Sequence, residues 1–273
     1  MTEVRTVRRA VGPVIADVHV PPSKSIANRA LVCAALAAGE SQIVGLAPGD
    51  DTNAMIECLI ALSIPIGVET VDGSLVANVI GTGGVLPVGP ITLNTRLAGT
   101  TSRFVTAVAA LGPGPYVIDG DPPLRARPMG PLHDSLHALG ARLEPADRWG
   151  HLPVTISGPV GGADAIVMPG DVSSQYVTAL MLIAPLIRDG LSLGLSTDLV
   201  SRPYVEITKA VMESFGATDV HIAHRHVTVA ESGYSATRYA VEPDASSASY
   251  PLAAAAIVGG AVSVKGLGHS SLQ

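Results

Sequence analysis

Four apolar, helix-like runs open on short clusters of hydroxyl or glycine residues: Ser23-Lys24-Ser25, Gly99-Thr100-Thr101, Ser173-Ser174-Gln175 and Ser246-Ser247-Ala248. The clusters recur about every 75 residues, which marks a repeat protein. A second helix-like run in each unit stops in a similar way, at Leu62-Ser63, Leu139-Gly140 and Phe215-Gly216. Between the helices, Val14 to Val20, Ser74 to Ile80 and Val88 to Leu93 are short, bounded by Gly and Pro, and read as strands. Each unit is therefore predicted to run strand, helix, strand, helix and two further strands.

The first helix is predicted to start after Pro21-Pro22, capped by Ser23 or Ser25, and to stop at a left-handed Gly39. Ile26, Ala30, Leu31, Ala34, Ala35 and Ala38 make it apolar on most sides, so it should be buried. Asp50-Asp51-Thr52 then opens a helix with the stripe Met55, Leu59 and Leu62, and helix capping accounts for that carboxylate pair better than acid-base chemistry. One buried helix per unit cannot hide its faces alone, so three units should close around a shared helical core with sheet outside. The expected fold class is α/β (α+β). Residues 21–239 hold three units as a complete domain, inserted into an incomplete one made of residues 1–20 and 240–273, with hinges near Pro21 and Tyr239.

Composition narrows the function. The 273 residues are 47% hydrophobic and 15% charged, enough for a large core, while 3% aromatic content gives no base-stacking platform. A net charge of -6 also argues against nucleic acid, although a few focused cations can still capture a small anion. Cys33 and Cys58 sit in apolar helical patterns and read as small buried hydrophobes. Arg5, Arg8 and Arg9 are followed by Asp17 and His19, so no secretion signal forms and a cytoplasmic location is expected. Ala245 to Val264 is uncharged, but its serines, Pro251 and Gly259-Gly260 fit a buried helix followed by a strand better than a membrane span.

A helix N-terminus carries unpaired N–H groups and partial positive charge, so several converging ones make an anion site and point to a phosphorylated ligand. Lys24, Ser25, Asn28 and Arg29 are the strongest group, because Ser25, Asn28 and Arg29 share one helical face and Arg29 stands in an otherwise apolar helix. In Leu97-Ala-Gly-Thr-Thr-Ser-Arg103, Gly99 allows close backbone approach and Arg103 lies one turn inside. Arg125 and Arg127 alternate on a segment which, if extended, aims both forks the same way; a plain surface loop is the alternative. Ser173, Ser174 and Gln175 offer more neutral donors than capping requires. Ser201 is placed to cap the helix containing Pro203, and Tyr204 suits a substrate hydroxyl or core filling equally. His133 and His137 have metal-pair spacing but no third ligand, and are read as surface residues, as are His221, His224 and His226.

These residues resemble the family of 5-enolpyruvylshikimate-3-phosphate synthases (EPSP synthases), the enolpyruvyl transferases of the shikimate pathway. Pro22 to Leu31, Ala98-Gly-Thr100 with Arg103, Arg127-Pro-Met129, Ser173-Ser-Gln175, Ser201-Arg-Pro-Tyr204 and Asp244 to Ser249 follow the family's order and spacing. The resemblance implies an inside-out barrel of β-α-β-α-β-β repeats in two domains that close on substrate. It implies transfer of the enolpyruvyl group of phosphoenolpyruvate to the 5-hydroxyl of shikimate 3-phosphate, in aromatic amino acid biosynthesis, with no metal or organic cofactor and a monomer at full length. By motif, Lys24 would contact both substrates and take part in proton transfer. Ser25, Arg29, Ser173, Ser174, Gln175, Ser201 and Tyr204 would hold shikimate 3-phosphate, and Gly99, Arg127 and Gln175 would hold phosphoenolpyruvate.

Two features depart from the family. Leu97 stands where many members have Asn, and the sequence stops at Ser270-Ser-Leu-Gln273, before the family's catalytic aspartate and the later acidic residue, lysine and arginines. The expectation is a fragment that folds in its complete domain, binds shikimate 3-phosphate weakly and lacks turnover. Alternatives are a non-catalytic phosphometabolite-binding module and the related UDP-N-acetylglucosamine enolpyruvyl transferase, which uses a loop cysteine unlike Cys33 or Cys58. An RNA-end-processing enzyme on a similar repeat is a more distant one.

Overall fold

The computed structural model describes residues 11–162 and 165–273, and the basic cluster Arg5, Arg8 and Arg9 lies outside the described residues. The chain opens with β1 (Val14–Val18), α1 (Lys24–Leu36), β2 (Ala38–Leu46), α2 (Asp50–Ala61), β3 (Ile66–Val71) and β4 (Ser74–Thr82). The second unit contains β5 (Val88–Asn94), α3 (Gly99–Ala109), β6 (Gly114–Asp119), the single turn α4 (Pro122–Arg125), α5 (Gly130–Ala138), β7 (Arg142–Pro145) and β8 (Val154–Ser157). The third contains β9 (Ile166–Met168), α6 (Ser174–Ile183), β10 (Leu191–Leu195), α7 (Arg202–Ser214), β11 (His221–Ile222) and β12 (His226–Val229). Then come β13 (Arg238–Ala240), α8 (Ala245–Val258) and β14 (Gly260–Val264).

Three four-stranded sheets share one topology. In the second unit β5 runs parallel to β6, which is antiparallel to β8, and β8 is antiparallel to β7. The third unit repeats this with β9, β10, β12 and β11. In the first unit the leading place beside β2 is taken by β13, with Tyr239 opposite Ile43, so the third unit's exit strand closes the first unit's sheet. β1 pairs elsewhere, parallel to β14, with Val14 opposite Gly260.

The helices α1, α3 and α6 meet one another at the centre, and every residue of α1 from Ile26 to Leu36 is buried. Ala27, Ala30, Ala34, Ala107 and Ala179 are fully buried, and such small side chains let helix axes approach closely. The sheets come equally near: a β-carbon on Gly81 would lie 2.3 Å from the carbonyl oxygens of Ala34 and Ala37, and one on Gly158 would lie 2.1 Å from that of Ala110. Only hydrogen fits where a strand crosses these helix ends.

The repeated stops of the second helices are Schellman ends. Ser63, Gly140 and Gly216 have φ of 63°, 97° and 86°. Just beyond them, the amides of Ile64, Ala141 and Ala217 donate back to Leu59, Leu136 and Met212 at 3.1, 3.0 and 3.1 Å.

Several local expectations are corrected. Gly39 does not stop α1: the helix ends at an extended Ala37 and the chain enters β2 at once, with Gly39 paired to Gly81 inside the strand. Ser23 occupies the N-cap of α1 without capping it, because its hydroxyl donates to Gln273 Oε1 at 2.9 Å. Asp50 and Asp51 lie in the first turn of α2, and the N-cap is Gly49. Helix and strand form within Ala245 to Val264, but α8 is not buried: it packs on β1 and β14 while Tyr250 and Ile257 are 78% and 83% exposed. Among the described residues no helix is long and apolar enough to cross a membrane.

Candidate functional site

The N-terminal turns of α1, α3, α6 and α7 line one cleft of about 370 Å³, formed by Ser25, Arg29, Thr100, Val172, Ser173, Ser174, Gln175, Val200, Ser201 and Tyr204. Four sets of unpaired helix N–H groups thus share a small volume, where their partial positive charges add. Ser173 caps α6 by accepting from the amide of Gln175 at 3.2 Å. The Gln175 carboxamide reaches across to α3 and donates to Thr100 Oγ1 at 3.2 Å, tying two of the N-termini together. Ser201 does not cap α7 with its side chain; it adopts a left-handed φ of 54° and ψ of 43°, an uncommon conformation for serine.

Arg29 is the charged residue of this lining and is 2% exposed. Its Nη1 donates to the Ser25 carbonyl at 2.7 Å and its Nε to Thr208 Oγ1 at 2.8 Å. Nη2 donates to the Tyr204 carbonyl at 3.2 Å and to Thr178 Oγ1 at 3.4 Å. The Phe104 ring centroid lies 5.4 Å from the guanidinium carbon. Burial lowers the pKa to about 10, so the group remains protonated at neutral pH. Among the described residues no carboxylate forms an ion pair with it, and each assigned hydrogen-bond acceptor is neutral. A buried cation held in this way favours an incoming anion.

A second cationic corner adjoins the cleft at the start of α3. Nη1 of Arg127 and Nη1 of Arg103 would lie 2.9 and 3.1 Å from a β-carbon on Gly99. Arg103 is held by the Gly99 carbonyl and the Ser102 hydroxyl, and burial lowers its pKa. Tyr176 and Arg103 both donate to the Pro128 carbonyl, which fixes the segment bearing Arg127. Arg125 does not join Arg127. It lies in the α4 turn and forms two bonds to the Asp119 carboxylate at 2.9 and 2.8 Å. The extended segment that would have aligned the two forks is replaced by a helical turn.

Lys24 stands in the first turn of α1, exposed, and pairs with Asp51 of α2. Asp50 approaches Arg96 at 3.5 Å, so the two carboxylates face different cations instead of forming an acid-base pair. Of the residues singled out in the sequence, Ser25, Arg29, Ser173, Ser174, Gln175, Ser201 and Tyr204 line the cleft, while Lys24, Gly99 and Arg127 do not. Thr100, Val172 and Val200 line it without having been assigned a role. Thr100 lay within the recognised hydroxyl cluster, whereas nothing local distinguishes the two valines.

His133 corrects another expectation: it is fully buried rather than a surface residue, and among the described residues neither ring nitrogen has a partner. Its ring stands edge-on to Trp149 at 5.9 Å, and burial lowers its pKa to about 4. His137, His221, His224 and His226 are exposed. Cys33 and Cys58 are free and buried, with thiol pKa values raised to about 12, chiefly by burial, which leaves no reactive thiolate at neutral pH. Among the described residues no group of three or more His, Cys, Asp or Glu side chains is arranged to hold a metal.

Fold and cleft define a three-repeat α/β protein whose helix N-termini converge on a buried arginine. The family model of EPSP synthase (3-phosphoshikimate 1-carboxyvinyltransferase) matches residues 9–273, and the chain belongs to that family. A 3-phosphoshikimate 1-carboxyvinyltransferase of Photorhabdus laumondii is 40% identical over 260 residues, covering 94% of this chain and 60% of the relative. That of Serratia proteamaculans is 39% identical over 259 residues with the same coverage. A solved EPSP synthase from Acinetobacter baumannii superposes with a TM-score of 0.81 at 22% identity, over 95% of this chain and 57% of that one, a likeness of fold. The chain thus spans about 60% of the length of the curated relatives it matches.

Proposed function

We propose that this chain carries the shikimate 3-phosphate half of a 3-phosphoshikimate 1-carboxyvinyltransferase. The observation that carries the reading is Arg29: a buried, protonated guanidinium with neutral protein partners, lining a cleft of serine hydroxyls and helix N-termini. Ser25, Ser173, Ser174, Gln175, Ser201 and Tyr204 supply the neutral contacts around the sugar phosphate. Gly99, Arg127 and Gln175 supply the phosphoenolpyruvate side, next to the first cleft.

In the whole reaction the 5-hydroxyl oxygen of shikimate 3-phosphate bonds to the enol carbon of phosphoenolpyruvate while the methylene carbon takes a proton. Loss of a proton from that methyl group and departure of inorganic phosphate then restore the double bond. Lys24 is the proton-handling group of this half, and its ammonium pairs with Asp51 of α2. Among the described residues no carboxylate lines the cleft, so this chain alone supplies no general base there and is expected to bind without releasing phosphate. No metal or organic cofactor enters the scheme. We place the reaction in the cytoplasm, by a monomer, without nucleic-acid partners.

The two cysteines argue against the UDP-sugar transferase reading, because both lie in buried helices. Calorimetric titration tests the proposal: shikimate 3-phosphate should bind saturably, with unphosphorylated shikimate silent and Arg29→Ala abolishing the signal. Equal binding of the two sugars, or none of the ester, overturns it.

A further inference from the structure

Arg29 is held by two buried threonines that come from different repeat helices and line no part of the cleft. Thr178 of α6 and Thr208 of α7 are both fully buried, and their hydroxyl oxygens lie 3.0 Å apart. Each hydroxyl has one hydrogen to give, so their arrangement can be solved. Thr208 donates to the Tyr204 carbonyl at 2.7 Å, one turn back in its own helix. Its oxygen is then an acceptor only, toward Arg29 Nε at 2.8 Å and toward Thr178. Thr178 must therefore be the donor between the two, which leaves its own oxygen to accept from Arg29 Nη2 at 3.4 Å.

A guanidinium has five N–H groups. With the Ser25 and Tyr204 carbonyls included, four are taken by acceptors among the described residues and one, on Nη1, remains for the cleft that Arg29 lines. We propose that Thr178 and Thr208 are positioning residues: a neutral hydroxyl pair that fixes the Arg29 fork while leaving its full charge to an anionic group of the ligand. A carboxylate at either place would hold the fork as firmly and cancel the charge. The hydrogen-bond chain also joins α6 and α7, the helices that carry Ser174 and Tyr204. This inference rests on the phosphate-ester reading above for its ligand, though not for its geometry.

The test titrates the intact chain, Thr208→Val, Thr208→Ser and Thr178→Val with shikimate 3-phosphate, shikimate and inorganic phosphate, alongside thermal melting. Valine keeps the shape and removes the hydroxyl, and Thr208→Val should weaken binding of the phosphate ester roughly tenfold or more. Thr208→Ser, which keeps the hydroxyl, should stay within about 1.5-fold of the parent chain. A merely structural role would lower the melting temperature of both Thr208 variants without separating their affinities. Unchanged affinity in a folded Thr208→Val overturns the proposal. If that variant does not fold, Thr178→Val decides, with a loss of about threefold expected and parental affinity overturning the idea. A parent chain that binds inorganic phosphate but not the ester sinks the substrate reading alone, and the variants are then compared with phosphate. A parent chain that binds neither leaves the cradle without an anion and overturns both.

Discussion

The guanidinium of Arg127 fills the space in front of Gly99, with Nη1 2.9 Å from where a β-carbon would stand. Gly99→Ala should therefore displace Arg127, and Arg103 with it, rather than unfold α3, because the obstructing atoms are the ends of flexible side chains. Melting should remain cooperative and affinity for shikimate 3-phosphate should stay within about threefold, while phosphoenolpyruvate added to that complex should bind roughly tenfold more weakly. Calorimetry of the two titrations checks this. Unaltered phosphoenolpyruvate affinity would show that Arg127 does not serve it.

Ligand binding should stabilise the chain by mass action. At a shikimate 3-phosphate concentration of about 100 times the dissociation constant, stability should rise by about 2.7 kcal/mol. The midpoint of thermal melting should rise with ligand concentration in the parent chain and stay fixed in Arg29→Ala. A shift of equal size in both would mean that the ligand binds elsewhere.

His133 should make the fold acid-sensitive. Burial depresses its pKa from 6.5 to about 4, so between those values the unfolded chain binds a proton that the folded chain does not. This destabilisation is absent above the unfolded value and grows as pH falls toward the folded one. From pH 7 to pH 5 the loss attributable to this ring is on the order of 2 kcal/mol. His133→Phe keeps an aromatic edge against Trp149 and removes the titration, so urea midpoints at the two pH values should differ less than in the parent chain. The same acid loss in both proteins would clear His133 of responsibility.

Comparison of the repeats singles out Ser63. It is left-handed at φ 63°, where the second and third units have Gly140 and Gly216. The conformation costs a residue with a β-carbon about 1 kcal/mol more than glycine, so Ser63→Gly should raise the melting temperature by roughly 2–3 °C. No change, or a decrease, would mean that the added freedom of the unfolded chain cancels the relief.

Much of this architecture is legible over a few neighbouring residues. The stops at Ser63, Gly140 and Gly216 and the hydroxyl clusters at the helix starts obey rules of backbone geometry and capping that act within one or two turns. From them follow the repeat, its β-α-β-α-β-β order and the seven cleft residues from Ser25 to Tyr204. Side-chain partners follow other rules. Ser23 and Ser201 have the chemistry of caps, yet Ser23 bonds Gln273 from the far end of the sequence and Ser201 turns left-handed without capping. Gly39 reads as a helix stop, but pairing with Gly81 draws the chain into a strand.

Burial of polar groups was the least visible quantity. His133 has the spacing of a surface pair, and tertiary packing, with Trp149 edge-on to its ring, encloses it. Arg125 and Arg127 are two residues apart, but an α4 turn gives one to Asp119 and the other to Gly99. Thr178 and Thr208 meet at Arg29 from helices in which they look like ordinary fillers. Backbone conformation is dictated largely by sterics among adjacent residues, so the chain alone determined the repeated stops of the second helices and which helix starts carry donors. Which donors meet, and which charge is left without a counter-charge, depends on residues brought together from across the chain, and that was decided only when the three repeats closed on one another.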